Sequence, residues 1–94
     1  MSVEISEREK KALRGRAHSL KPVVLIGKEG LSDSVVAAVD SALSTHELIK
    51  VKLLQNCLDD KTEVANALSE RLVAGLVQRI GKTIVLYRER PADD

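Results

Sequence analysis

Aromatic side chains are almost absent from this 94-residue sequence: Tyr87 stands alone, with neither phenylalanine nor tryptophan. Readers of single-stranded nucleic acid that stack bases need several such rings, so stacking cannot be the main contact of this chain with a nucleic acid. Cysteine is equally scarce. The lone Cys57 excludes an internal disulfide, and two histidines fall short of a structural zinc set, so neither redox chemistry nor a metal or other cofactor is expected. No apolar run approaches the ~20 residues of a membrane helix, and no membrane partner is expected. The opening MSVEISEREKK mixes acids with bases and leads into no apolar stretch. It is unlike a secretory signal, and its acids argue against a transit peptide, so the expected compartment is the cytoplasm.

Hydrophobic residues make up 44% of the chain and charged residues 31%, the balance of a soluble globular protein. At this length one modest core is possible, burying roughly two-thirds of the surface the unfolded chain exposes. A second domain or a large active-site cleft is not. With no internal repeat and no Gly/Pro-rich linker, residues 1–90 read as one domain and residues 91–94, PADD, as a disordered tail.

The small net charge of +1 conceals an uneven distribution. Residues 1–28 carry Arg8, Lys10, Lys11, Arg14, Arg16, Lys21 and Lys28 against Glu4, Glu7 and Glu9. From 29 to 75 acids dominate, and from 76 to 90 Arg79, Lys82, Arg88 and Arg90 face Glu89 alone. The two ends could build one basic surface for a polyanion while the middle stays acidic; ordinary solvated surface is the plain alternative.

Helical spacing of Ile5, Ala12, Leu13, Ala17 and Leu20 predicts a helix from Ser6 to about Ser19, with Ser6 as N-cap and Glu9 at the capping-box position. Lys10, Arg14 and His18 then form one exposed line, with Arg16 and Lys21 near its end. Pro22 ends the helix, and the apolar run Val23–Ile26 predicts a strand buried on both faces or central in a sheet. Gly27-Lys28-Glu29-Gly30 breaks that run before a second helix capped by Ser32 with a Leu31–Val36 staple. Residues 48–54 alternate, with Ile49, Val51 and Leu53 on one face and Lys50 and Lys52 on a face partly open to water. Asp60 and Glu63 start a third helix carrying Val64, Leu68 and Leu72, which Gly75 is expected to stop. Two final strands, Leu76–Ile80 and Thr83–Arg88, flank a Gly81-Lys82 hairpin turn. The expected fold is an α/β domain of order α-β-α-β-α-β-β with a four-stranded mixed sheet, its last strand antiparallel to its neighbour.

Catalysis finds little footing. Cys57, His18 and His46 lie on three separate elements, and Asp59-Asp60 is more simply a helix cap than a proton-sharing pair. Neither G-x-x-x-x-G-K-[ST] nor G-x-G-x-x-G occurs, which removes the common nucleotide sites, and no small-molecule substrate is expected. What remains is G-x-x-G between a strand and a helix start, where glycines allow close backbone approach and helix amides favour an anion. Glu29 and Asp33 oppose that anion, so the loop is expected to position a polyanion while neighbouring cations supply most of the attraction. With so few aromatics, an RNA ligand would be held by its sugar-phosphate backbone, as KH-type loops do.

Three stretches carry a family resemblance: LRGRAHSLKPVVLIGKEGLS (13–32), HELIKVKL (46–53) and IGKTIVLYR (80–88). Together they resemble the CRM domain (chloroplast RNA splicing and ribosome maturation), in particular its stand-alone bacterial YhbY-like form. The resemblance implies a fold like the C-terminal domain of translation initiation factor three. It also implies RNA binding and association with ribosomal RNA of large-subunit precursors; a non-catalytic monomer is expected. Carried over, the RNA-binding residues are Gly27, Lys28, Glu29 and Gly30 in the loop and Arg14, Arg16, His18 and Lys21 beside it. Lys10 extends the same helical line, and Lys82 of the hairpin is added on its position. Two other readings stand beside this one: a protein-interaction adaptor using the acidic central surface, and a small enzyme using Cys57.

Overall fold

The structure, a computed structural model, describes residues 5–89, so the expected tail at 91–94 lies outside the described residues. Helix α1 (Glu7–Ala17) begins where the Ser6 hydroxyl accepts the Glu9 amide at 3.1 Å. Glu7 and Glu9 occupy its first turn and Arg14 and Arg16 its last, each at the dipole end that suits its charge. The helix ends at Ala17 rather than near Ser19, and the Leu20 amide turns back onto the Ala17 carbonyl (3.0 Å) before Pro22.

Strand β1 (Val24–Ile26) leads through the glycine turn into α2 (Asp33–His46), whose Ser32 cap accepts the Val35 amide at 3.2 Å. Strand β2 (Leu48–Leu53) follows, then α3 (Lys61–Leu72), where one carboxylate oxygen of Asp60 accepts both the Thr62 and Glu63 amides. Strands β3 (Gly75–Ile80) and β4 (Thr83–Tyr87) form the terminal hairpin, with Gly81 at φ +55° in its turn. The sheet order is β1-β2-β4-β3, with β1 parallel to β2 and β4 antiparallel to both neighbours. This is the three-helix, four-stranded mixed α/β fold that the sequence predicts.

Alternation along the strands sorts the core into two clusters on opposite faces. Ile26, Ile49, Val51, Ile84 and Leu86 pack with Val39 and Leu43 of α2 and Val64 and Leu68 of α3. Each such fully buried side chain contributes about 1.5–3 kcal/mol over its exposed state. On the other face α1 covers a smaller set, Leu48, Val77 and Val85, with its own Leu13 and Ala17.

Two local expectations are corrected. The run at 23–26 is neither central nor buried on both faces: β1 is an edge strand, and Leu25 is 55% exposed because α1 packs over β2 and β3 and leaves β1 bare. Gly75 does not stop α3. That role falls to Val73, left-handed at φ 51°, whose amide bonds the Ser69 carbonyl together with that of Ala74, while Gly75 enters β3 opposite Tyr87. A β-branched residue is costly in that region, so the two bonds at Ser69 and the immediate entry into β3 hold it there.

Candidate nucleic-acid interface

Strands β1 and β2 finish side by side, Ile26 paired with Leu53, and the Leu53 amide bonds the Lys82 carbonyl at 2.7 Å. This brings the Gly27–Gly30 loop, the loop after β2 and the Gly81-Lys82 turn to one end of the sheet. The Gly30 amide closes the loop onto the Gly27 carbonyl (2.9 Å). Gly30 sits at φ +64°, and a Cβ there would run into the Asp59 carboxylate, which also accepts the Leu31 amide at 3.0 Å. Glycine at this position is therefore a steric requirement of the turn. At Gly27 a Cβ would only meet the Asn56 side chain at 3.4 Å.

The charge around the loop is mixed. Among the described residues, no protein acceptor meets the amides of Asp33 and Ser34, in the first turn of α2, or those of Lys28 and Glu29, at the centre of the turn. Lys28 and Glu29 are exposed, and Asp33 and Asp59 add carboxylates beside them. The loop offers amides and one lysine rather than a strong positive field.

Stronger positive charge lies on the α1 side of the sheet. Arg14 and His18 line a recess of about 170 Å³ together with Ala17, Lys50, Gln78, Ile80, Thr83 and Val85. Arg16 and Lys21 line a second one of about 360 Å³ with Leu20, Val23, His46, Leu48 and Ile49. The expected ridge of cations is thus divided between two recesses. Lys10 and Arg14 are half-buried, and Lys10 pairs with Glu7 at 3.7 Å, so these residues do not form the fully exposed line that their spacing predicts.

Lys50 and Lys52 are not among the site residues that the sequence points to. Their alternation with Ile49, Val51 and Leu53 already put them on the half-open face, but only the position of α1 shows that Arg14 and His18 share it. Conversely, two cations of residues 76–90 are engaged elsewhere. Arg79 donates to Thr62 Oγ1 (2.9 Å), and Arg88 donates to the Asp40 carboxylate (2.7 Å), the Ser44 hydroxyl (2.9 Å) and the carbonyls of Asp40 and Leu72 (both 3.0 Å). Arg88 fastens the end of β4 to α2 and α3, which among the described residues of that stretch leaves Lys82 as the cation at the glycine end.

Tyr87 provides no stacking platform. It is half-buried against the α1 cluster, and burial first, then the carboxylates of Glu47, Glu89 and Glu9, raise its pKa above the ordinary 10.0, with Arg16 opposing.

Comparison with known proteins places the chain in a family. Residues 5–88 match the family model for the CRS1/YhbY (CRM) domain. The chain is 46% identical over 85 residues to "Probable RNA-binding protein YqeI" of Bacillus subtilis, an alignment covering 90% of this chain and 88% of that one. It is 43% identical over 84 residues to an "RNA-binding protein" of Haemophilus influenzae, covering 89% and 85% respectively. The solution structure of a hypothetical protein from Staphylococcus aureus superposes with a TM-score of 0.80 at 42% identity, covering 97% of this chain and 95% of that one. With the family model spanning all three quoted stretches and the fold shared throughout, the chain belongs to the CRS1/YhbY (CRM) domain family.

Proposed function

We propose that this chain is a non-catalytic, monomeric RNA-binding protein of the cytoplasm that holds ribosomal RNA in large-subunit precursors and assists their assembly. The observation that carries the reading is the convergence of Arg14 and His18 from α1 with Lys50 from β2 around one recess, on the sheet whose glycine end carries Lys28 and Lys82. The names of its relatives support RNA as the ligand. Cations from separate elements on a rigid sheet suit the phosphate backbone, and the Gly27–Gly30 amides would fix its path. Within the proposed surface, Arg14, Arg16, Lys21 and Lys82 supply attraction, His18 a ring nitrogen for hydrogen bonding, Lys10 a more distant contribution, and Gly27, Lys28, Glu29 and Gly30 position.

The adaptor reading has less support, because three of the central acids, though exposed, are engaged by the chain itself: Asp40 by Arg88, Asp59 by the Leu31 amide and Asp60 by the start of α3. The test is co-sedimentation with ribosomal particles over a salt series, with crosslinks mapped on the bound RNA. Association should weaken steeply with salt as counterions are released, and it should be lost in the variant Arg14→Glu, Arg16→Glu, Lys21→Glu. Association that survives both changes would overturn the reading.

A further inference from the structure

Leu25, Lys52, Thr83 and Ile80 stand in one line across all four strands: Leu25 pairs with Lys52, Lys52 with Thr83, and Thr83 with Ile80. Directly paired residues project to the same face. Lys50 lines the recess under α1, and Lys52, two residues on, shares its face. The buried contacts of the helix are with Leu48, Val77 and Val85, so it does not cover this line, although Ile80 and Thr83 line the same recess as Arg14 and His18. Leu25 and Ile80 are consequently 55% and 61% exposed, at the two ends of a row about 14 Å wide, three strand spacings.

Leu25 and Ile80 are single exposed aliphatic side chains with Lys52 and Thr83 between them, so the row is a mixed surface with apolar ends and a cationic middle rather than one apolar patch. Here the row contains Lys52, ends beside Lys82 and borders Arg14 and Lys50, and no acid lines the adjoining recess. An occupant that matches must carry negative charge and flat apolar faces together. A duplex buries its base faces in its own stack, whereas unpaired nucleotides present both. Leu25 also precedes Gly27 by two residues, so the glycine loop begins just beyond the Leu25 end of the row.

We propose that this open row seats unpaired nucleotides of RNA, with bases against Leu25 and Ile80 and phosphates toward Lys52 and Lys82. Aliphatic contact here takes the place of the aromatic stacking the chain lacks, with the cations still supplying most of the attraction. The inference rests on the RNA-binding reading and specifies the form of RNA that the surface takes.

The test compares the native chain with the variant Leu25→Ser, Ile80→Ser by fluorescence anisotropy on two probes, a short unpaired pyrimidine RNA and a blunt RNA duplex. The variant should bind the unpaired probe about tenfold more weakly, with unchanged duplex affinity and unchanged salt slope, since apolar contacts and no phosphate contacts are removed. Equal binding of the unpaired probe by both proteins overturns the proposal, as does a native chain that prefers the duplex. A native chain that binds neither probe nor ribosomal RNA defeats the RNA-binding reading itself, an outcome visible without the variant. Methyl NMR of the native chain provides a measurement independent of the variant's folding: the Leu25 and Ile80 methyl signals should shift on titration with the unpaired RNA, and still signals under saturating RNA overturn the proposal.

Discussion

Against α2 and α3 the sheet is sealed, with Ile26, Leu43, Ile49, Leu68, Ile84 and Leu86 all fully buried. On its other side α1 packs on Leu48, Val77 and Val85, leaving Lys52, Leu25 and Ile80 in water. The same four strands serve both sides, and the difference comes from helix coverage: two helices on one face, one of 11 residues on the other. One face can be given over to stability because the other need not be. Residues in contact with solvent on a sheet anchored from behind are held in position without being needed for folding.

That contrast can be broken from either side. On the sealed face, Leu43→Ala should cost about 2–5 kcal/mol in urea unfolding, because the cavity it leaves between α2 and the sheet cannot collapse. A cost below about 1 kcal/mol would mean that this face is less tightly packed than its burial implies. The glycine loop is intermediate. Gly30→Ala combines a left-handed backbone with a clash at Asp59 and should cost roughly 1–3 kcal/mol. Gly27→Ala should stay within about 1 kcal/mol by the same measurement, since no positive φ or hard contact is involved. Gly27→Ala is therefore the cleaner probe of the loop's role in binding. On the open face, Lys52→Gln should leave stability within about 0.5 kcal/mol while lowering the slope of log affinity against log salt for ribosomal RNA by about one. An unchanged slope would remove Lys52 from the phosphate contacts.

Much of this organisation is local and was legible as such. Ser6, Ser32 and Asp60 were all read as caps, and each accepts the amide two or three residues on. The alternation at 48–53 sorts Ile49 and Val51 from Lys50 and Lys52 as expected. The edge position of β1 was not legible, because an apolar run of β-branched residues reads the same in a central strand and in an edge strand whose outer face is left uncovered. Nor was the fate of Arg88, whose partner Asp40 lies 48 residues away. The steric need for Gly30 was hidden for the same reason: Asp59 reaches it from another loop.

The sequence by itself therefore determined where elements start, their type and order, and which side chains share a strand face, because capping and periodicity act over a few residues. Tertiary structure decided which faces are covered, which cations are engaged in the fold and which remain available, and how the α1 ridge divides between two recesses. Those outcomes depend on pairing β4 between β2 and β3 and on where one short helix comes to rest, contacts between residues distant in the chain that no local pattern encodes.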